Sequence, residues 1–279
     1  MQLEPLKSRD RVAARLAAAF GMGDRLGIHG IFTAECYEGG RLVWTNEFPQ
    51  VVTIAGQNSM LDNFLAGSAF TQTGPYMGLI SSVGWTNLST TISSGTYTTG
   101  TGAVSLTTAA AHGLSPGDTF TIASATGTGS FAAINGTFLA ATGTTGSTLN
   151  FSTAASLTMT ITGGSVTTAS GTRILDTMAS HANWTEAGST NAPTFAARGT
   201  VAWSSASGGT KSTSSATSFT MTSGGTLEGA FIVLGSGAVA TLMSTAGTLF
   251  SAGAFTGGAQ PVSNGSVVNV SYSAGFIPA

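Results

Sequence analysis

The sequence predicts a mainly β protein: an antiparallel β-sandwich or jelly-roll-like domain with one or two short helices, carrying an inserted small all-β domain. Three observations predict this fold class. Short runs of alternating apolar and polar residues recur along the chain, glycine-rich turns separate them, and only 7% of the 279 residues are charged. Alternation with period two is typical of half-buried strands, and glycine permits the tight turns between them. Because 42% of the residues are hydrophobic, the chain is apolar enough to form a core.

Residues 1–24 predict an N-terminal arm with one helix at residues 8–20. Ser8 is placed to cap this helix and Gly21 to end it. Two interpretations stay open: the helix packs on its own domain, or it forms an arm that clamps a neighbouring subunit. Six of the nine Lys and Arg residues lie within positions 1–41. On the second interpretation the predicted subunit-interface residues are Arg9, Arg11, Arg15, Phe20 and Arg25.

Residues 25–86 and 172–279 predict the main β-sandwich domain. Ile28, Phe32 and Cys36 belong to an alternating strand, and Cys36 is expected to be a small buried apolar residue. A hairpin turn is predicted at residues 38–41. A helix is predicted at residues 57–65. The other predicted strands are residues 42–45, 51–54, 76–80, 201–203, 218–221, 229–234, 248–251 and 267–272.

Residues 87–171 predict the inserted small β domain. Asp118 is the only charged residue between Asp62 and Arg173. Surface loops tolerate such insertions when the ends of the loop lie close together. The predicted strands of the insertion are residues 103–106, 119–122, 136–139, 149–151 and 157–161.

Four stretches of the main domain carry a family resemblance. They are residues 51–62 (VVTIAGQNSMLD), 76–80 (YMGLI) continued by 180–186 (SHANWTE), 227–231 (LEGAF) and 248–255 (TLFSAGAF). They resemble structural proteins of the virions of tailed bacteriophages, of the capsid decoration or cement type. The resemblance covers residues 25–86 and 172–279.

The insertion carries a second resemblance, on residues 112–118 (HGLSPGD) and 135–138 (NGTF). These residues resemble a small β module of phage tail and fibre proteins. The two resemblances together imply a structural role in a virion and leave capsid and tail open.

The motifs of metal, nucleotide and membrane proteins are missing from the sequence. His29, His112 and His181 are isolated from one another and there is a single cysteine, whereas a closed metal site needs about four convergent ligands. The glycine-rich runs lack the Lys-Ser/Thr of a phosphate loop. The net charge is −2 and no apolar run spans about 18 residues, so neither specific nucleic-acid binding nor a membrane span is expected. No cofactor or metal is predicted.

Two groups of residues have both a functional and a structural interpretation. Ser180, His181, Asp176 and Glu186 contain the residue types of a hydrolase triad, but closeness in sequence does not indicate convergence in space. An enzyme is therefore not predicted. The second group is the four tryptophans, Trp44, Trp85, Trp184 and Trp203. They either line a sugar-binding groove or pack in a core or an interface.

Of the two positions in the virion, we expect the capsid: a decoration protein on the exterior of the head, which bridges major-capsid subunits and stabilises the shell. Its expected partners are the major capsid protein and copies of itself, as a homotrimer. The alternative is a tail-associated or fibre-like protein that binds a host surface glycan through the insertion or the tryptophans.

Overall fold

The computed structural model describes residues 27–65, 73–154, 157–168 and 171–277. The predicted arm at residues 1–24, with the predicted interface residues Arg9, Arg11, Arg15, Phe20 and Arg25, lies outside the described residues. The chain forms two compact units. The main unit comprises residues 1–83 and 185–279, and the inserted unit is Gly84–Trp184.

Antiparallel strands dominate both units. In chain order the strands are β1 (Gly27–Glu38), β2 (Arg41–Pro49), β3 (Val51–Val52), β4 (Tyr76–Ser81), β5 (Ser89–Thr98), β6 (Ala103–Thr108), β7 (Thr119–Gly129), β8 (Gly136–Leu139), β9 (Thr148–Ser152), β10 (Met159–Thr167), β11 (Thr185–Glu186), β12 (Gly199–Thr200), β13 (Thr210–Ser212), β14 (Thr217–Thr220), β15 (Gly225–Leu234), β16 (Thr248–Ala254), β17 (Gln260–Val262) and β18 (Val267–Ile277). The described residues form one α-helix, α1 (Ile54–Leu65), and one 3-10 turn, η1 (Phe131–Ile134).

The main unit contains two sheets that share one core. The first has the order β13-β18-β1-β2, with β14 also paired to β18, and the second has the order β11-β4-β15-β16-β3, with β12 on β4 and β17 on β15. Phe32 and Val270 of the first sheet and Met77 and Ile232 of the second belong to the same cluster of buried apolar residues. The predicted mainly β, antiparallel, sandwich-like class is therefore confirmed.

The first hairpin follows the predicted pattern. Phe32 and Cys36 of β1 are fully buried, as the alternation predicts. Gly39 and Gly40, with φ of +56° and +81°, form the turn to β2. Both lie in the left-handed region that favours glycine, so the hairpin predicted at residues 38–41 is confirmed.

The start of α1 differs from the prediction, which continued a strand to residue 54 and began the helix at residue 57. Thr53 ends the strand and caps the helix: its hydroxyl accepts the N–H of Gly56 at 3.0 Å and its carbonyl accepts the N–H of Gln57 at 2.9 Å. A Cβ on Gly56 would lie 2.3 Å from the carbonyl oxygen of Phe250. Glycine thus lets the first turn of the helix pack directly on β16.

The strand predicted at residues 201–203 is wrong. This segment forms only an isolated bridge between Trp203 and Thr213. Trp203 packs instead with its ring centroid 5.7 Å from that of Tyr272, so its apolar character reflects packing on the core rather than a place in a sheet.

The inserted unit is a single curled sheet of six strands in the order β8-β7-β10-β5-β6-β9. The curl brings its two edge strands together, with the ring centroids of Phe138 on β8 and Phe151 on β9 4.5 Å apart. Its core is separate from the core of the main unit and includes Leu106, Phe120 and Ile161.

The inserted unit is longer than the predicted insertion, residues 87–171, because a C-terminal strap is tied to it. The strap, residues 171–184, is bonded to the rest of the unit near both of its ends. The N–H of Ile174 donates to Asp118 Oδ1 at 2.8 Å, and the carbonyl of Asn183 accepts the N–H of Thr86 at 3.0 Å. Neither bond is visible as a pattern in the sequence.

Candidate functional surface

The described surface carries few charges, and these are unevenly distributed. All three charged residues of the inserted unit, Asp118, Arg173 and Asp176, are buried. The inserted unit therefore presents no ionic side chain to its surroundings. In the main unit, the described charged residues that are not buried are Glu35, Glu38, Arg41, Glu47, Asp62, Lys211 and Glu228.

The buried charges of the inserted unit hold its strap. Asp118 Oδ2 accepts the N–H of Ser115 at 2.8 Å, and Asp118 Oδ1 accepts the N–H of Ile174, which belongs to the strap. Burial raises the pKa of the Asp118 carboxyl, against the opposing effect of these two donors and the positive charge of Arg173. Burial likewise lowers the pKa of Arg173. The Asp118 carboxylate therefore ties the strap to the turn at Ser115. Both of its oxygens already accept a hydrogen bond.

Asp176, which lies within the strap, is likewise a buried carboxylate that accepts hydrogen bonds from neighbouring groups. Its Oδ2 accepts the indole N–H of Trp184 at 2.8 Å and the backbone N–H of Arg173 at 2.9 Å. Burial raises the pKa of the Asp176 carboxyl. The ring of His181 stacks on Trp184 with a centroid distance of 3.9 Å, and its Nδ1 lies 2.9 Å from the Trp184 carbonyl oxygen. Asp176 is thus bonded to Trp184 and Arg173, so these contacts do not assemble the triad weighed from the sequence.

Residues 112–118, which carry the resemblance of the insertion, form a turn held by its own polar groups. The Nδ1 of His112 accepts the N–H of Leu114 at 3.1 Å, so the ring proton lies on Nε2, which donates to the carbonyl of Thr148 at 3.0 Å. Asp118 closes the other end through Ser115. The histidine and the aspartate therefore act as local structural supports.

Residues 135–138 have an equally local explanation. Asn135 Oδ1 accepts the N–H of Ala125 at 2.9 Å. Phe138 packs against Phe120 and Phe151 in the core of the inserted unit, with ring centroids 6.0 and 4.5 Å away. The resemblance thus falls on residues that shape the fold.

Glu186, the remaining residue of the weighed triad, pairs with Arg198 inside the main unit. Nε and Nη2 of Arg198 donate to Oε1 and Oε2 of Glu186, both at 2.7 Å. Arg198 also donates to the carbonyl of Ser244 at 2.8 Å, and Glu186 Oε2 accepts the N–H of Met243 at 2.7 Å. The pair fixes the loop between β15 and β16. Sequence analysis missed it, since the two partners show no periodic spacing.

Two of the tryptophans pack against the core of the main unit, and a third is buried in the inserted unit. Trp184 is buried in the inserted unit. In the main unit Trp44 lies against the core and donates its indole N–H to the carbonyl of Pro261 at 2.8 Å, and Trp203 packs on Tyr272. Trp85 is half-buried. Cys36 is a buried free cysteine, as predicted.

A shallow groove lies on the outer face of the inserted sheet, where β5, β6 and β9 run side by side. Thr96, Ser105 and Asn150 form one cross-strand row, and Thr98, Ala103 and Ser152 form the next. These six residues, together with Ala141, Thr142, Val104 and Phe151, line an open volume of about 230 Å³. We call this feature the hydroxyl groove. It was not predicted, because its residues alternate with core positions, and because β9 lies about 40 residues after the neighbouring strands β5 and β6.

Three of the exposed large apolar side chains of the described residues lie on edge strands of the sheets. Leu42 and Val43, which are 47% and 51% exposed, lie on β2 at the edge of the first sheet of the main unit. Leu139, 53% exposed, lies on the edge strand β8 of the inserted unit. Edges of this kind are places where another chain can add contacts.

Within the ranges described above, no three His, Cys, Asp or Glu residues are grouped so that they would hold a metal ion. Among the same residues no helix has the length and apolar character needed to cross a membrane.

No protein-family model, curated protein or solved structure matches the chain.

Proposed function

We propose that this protein is a structural protein of a tailed-bacteriophage virion, and that it decorates the exterior of the capsid. In this role it bridges major-capsid subunits, assembles with copies of itself as a homotrimer, and uses no catalysis and no cofactor. The family resemblance of residues 25–86 and 172–279 is one support. The observation that carries the proposal is the scarcity of charge on the described surface: the inserted unit exposes no charged side chain, and the main unit leaves seven described charged residues unburied.

An uncharged surface suits a protein that is covered by many neighbours. Burying an ion against a partner costs several kcal/mol unless it is paired there, and the cores of protein interfaces are depleted of charge for this reason. Hydroxyl and amide groups exchange water for a partner at lower cost because each hydroxyl both donates and accepts. The surface of the inserted unit carries no charged side chain, since its three charged residues are buried.

The exposed edges supply contact positions in the main unit. Leu42 and Val43 lie side by side on β2, near Arg41 and Glu38. A partner strand that pairs there would cover apolar side chains and satisfy backbone groups in one step. The predicted arm, with Arg9, Arg11, Arg15, Phe20 and Arg25, is proposed to reach a neighbouring subunit. Many weak contacts made at once give avidity beyond any single contact.

Cryo-electron microscopy of the intact virion tests the proposal. We expect density for this chain at capsomer junctions, repeated over the icosahedral lattice, with copies grouped in threes. Heads assembled without the protein should release DNA at a lower temperature than complete heads. Density confined to the tail would overturn the capsid assignment and favour the tail-associated or fibre-like alternative.

A further inference from the structure

We propose that the hydroxyl groove of the inserted unit binds a neutral saccharide chain. This goes beyond the proposed decoration function, because a protein that bridges capsid subunits needs no sugar, and it assigns residues to the glycan binding that the fibre-like alternative expects of the insertion. The inference rests on three properties of the groove: its unused hydrogen-bonding groups, its lack of charge, and its open shape.

The polar side chains of the groove have no hydrogen bonds to other described residues. Thr96, Thr98, Ser105 and Ser152 carry hydroxyls that each donate once and accept twice, and Asn150 carries an amide with two donors and one acceptor oxygen. The backbone of Asn150 is already fixed, because its N–H and its carbonyl both bond to the Thr144 hydroxyl at 3.0 and 3.3 Å. The Asn150 side chain is therefore held on a fixed backbone while its amide remains available to a ligand.

The chemistry of these groups selects the ligand class. A sugar ring presents neighbouring hydroxyls that donate and accept alternately, which matches hydroxyl and amide partners. A phosphate or carboxylate would find no cation in the groove, since Arg173 is the only basic residue of the inserted unit and is buried. The exposed lining also lacks large apolar side chains: Val104 and Phe151 are buried, and Ala103 contributes only a methyl group. A lipid or aromatic ligand would gain little there.

The shape of the groove indicates a segment of a chain. Its volume of about 230 Å³ is below the roughly 300–1,000 Å³ of pockets that enclose a drug-sized ligand. The two rows of side chains cross three strands, so a saccharide can enter and leave at the sides while one or two rings occupy the groove. We therefore expect weak binding by each copy and internal rather than terminal recognition of the chain.

The test uses the full-length protein on an array of neutral and acidic saccharides from bacterial surfaces and from mucins. We expect selective binding to neutral saccharides, and the array identifies which of the two sources is preferred. The best neutral ligand is then titrated against the variant Thr96→Val/Ser105→Ala/Asn150→Ala, which should bind about tenfold to hundredfold more weakly. Thr107→Val is the matched control, because Thr107 is exposed on the same strand β6 but lies outside the groove.

Three outcomes would overturn the inference. They are the absence of binding to any neutral saccharide, equal binding by the triple variant and the wild type, and a preference for acidic saccharides. Because the measurement uses isolated protein, its failure leaves the virion imaging unaffected, and a tail position in the virion leaves the groove result unaffected.

Discussion

Glu186 and Arg198 form a two-point ion pair inside the main unit, with both nitrogen–oxygen distances at 2.7 Å and both side chains almost fully buried. The guanidinium also lies over the ring of Phe231, with its central carbon 5.4 Å from the ring centroid. The pair satisfies backbone groups of Met243 and Ser244. It therefore connects β11 and the segment before β12 to the loop between β15 and β16.

Removing one partner of this pair should destabilise the main unit strongly. Arg198→Ala leaves the Glu186 carboxylate buried without its counter-charge, and Glu186→Gln does the same to the guanidinium. Breaking a buried pair in this way costs about 3–5 kcal/mol. Arg198→Lys should also be destabilising, because an ammonium group cannot make both parallel bonds. The measurement is the free energy of unfolding from urea denaturation.

Lys211→Ala is the control for these variants, since Lys211 is exposed on β13. It should change the free energy of unfolding by less than about 0.5 kcal/mol. Wild-type stability in Arg198→Ala would show that the pair is not formed in solution.

Asp118→Asn should release the strap from the inserted unit. Each carboxylate oxygen accepts one backbone N–H, from Ser115 and from Ile174. An amide of the same size turns one of these positions into a donor that faces a donor, at an expected cost of about 1–3 kcal/mol. Hydrogen exchange should become faster in residues 171–176 and remain unchanged in β15 and β16.

The control for this substitution is Asp62→Asn, which makes the same chemical change at an exposed position of α1. It should leave exchange in the strap at the wild-type rate. Unaltered exchange in Asp118→Asn would mean that the other contacts of the strap hold it without this carboxylate.

Alternation predicted the strands whose inward positions are large and apolar. In β6, Val104 and Leu106 mark the buried face, and in β9 Leu149 and Phe151 do so. The neighbouring strand β5 was missed, because its inward-facing buried residues are Thr90 and Ile92 and a threonine does not distinguish a core position from a surface one. Hydrophobic periodicity therefore finds a strand only where the core itself is hydrophobic.

The hydrogen bonds and the ion pair that fix the loops and the helix start could not be predicted from the sequence, for a different reason. Thr53, Asp118 and Glu186 each act through partners that the fold brings from elsewhere in the chain: Leu249, Ile174 and Arg198. No spacing rule links such pairs. The rarity of charge could have indicated one of these residues, because Asp118 is the only charged residue between Asp62 and Arg173. The hydroxyl groove has no comparable signal, since threonine and serine are abundant throughout the sequence.

Gly30→Ala should destabilise the main unit through a clash in its core. An added Cβ would lie 2.3 Å from Gln50 Nε2 and 2.4 Å from the hydroxyl oxygen of Tyr272, so both buried groups must move. Such overpacking costs about 1–3 kcal/mol. Tyr272→Phe removes one of the clashing atoms, and the glycine substitution should therefore cost less in that background. A double-mutant cycle from urea denaturation measures this coupling, and strictly additive effects would contradict it.

Tyr272→Phe by itself should leave the free energy of unfolding near neutral pH unchanged or slightly higher. The Tyr272 hydroxyl is buried beside the polar side chains of Gln50 and Ser251, and it makes no hydrogen bond of good geometry with the described residues. Removing an unsatisfied buried polar group is nearly neutral or stabilising, whereas removing one partner of a satisfied pair is costly. A loss of more than about 1 kcal/mol would mean that the hydroxyl has a partner in solution.

The same tyrosine should make the main unit sensitive to alkali. Burial raises the pKa of Tyr272 above its ordinary value, which is about 10. Below that pH the hydroxyl is protonated in both the folded and the unfolded state, so the free energy of unfolding does not depend on its titration. Above it the unfolded chain releases the proton while the folded protein retains it, so stability falls as pH rises, by up to about 1.4 kcal/mol per pH unit. Urea denaturation between about pH 8 and 11 should show this decline in the wild type and a shallower one in Tyr272→Phe. If the free energy of unfolding fell equally with pH in the two proteins, the folded Tyr272 would have its ordinary pKa, which would contradict its burial.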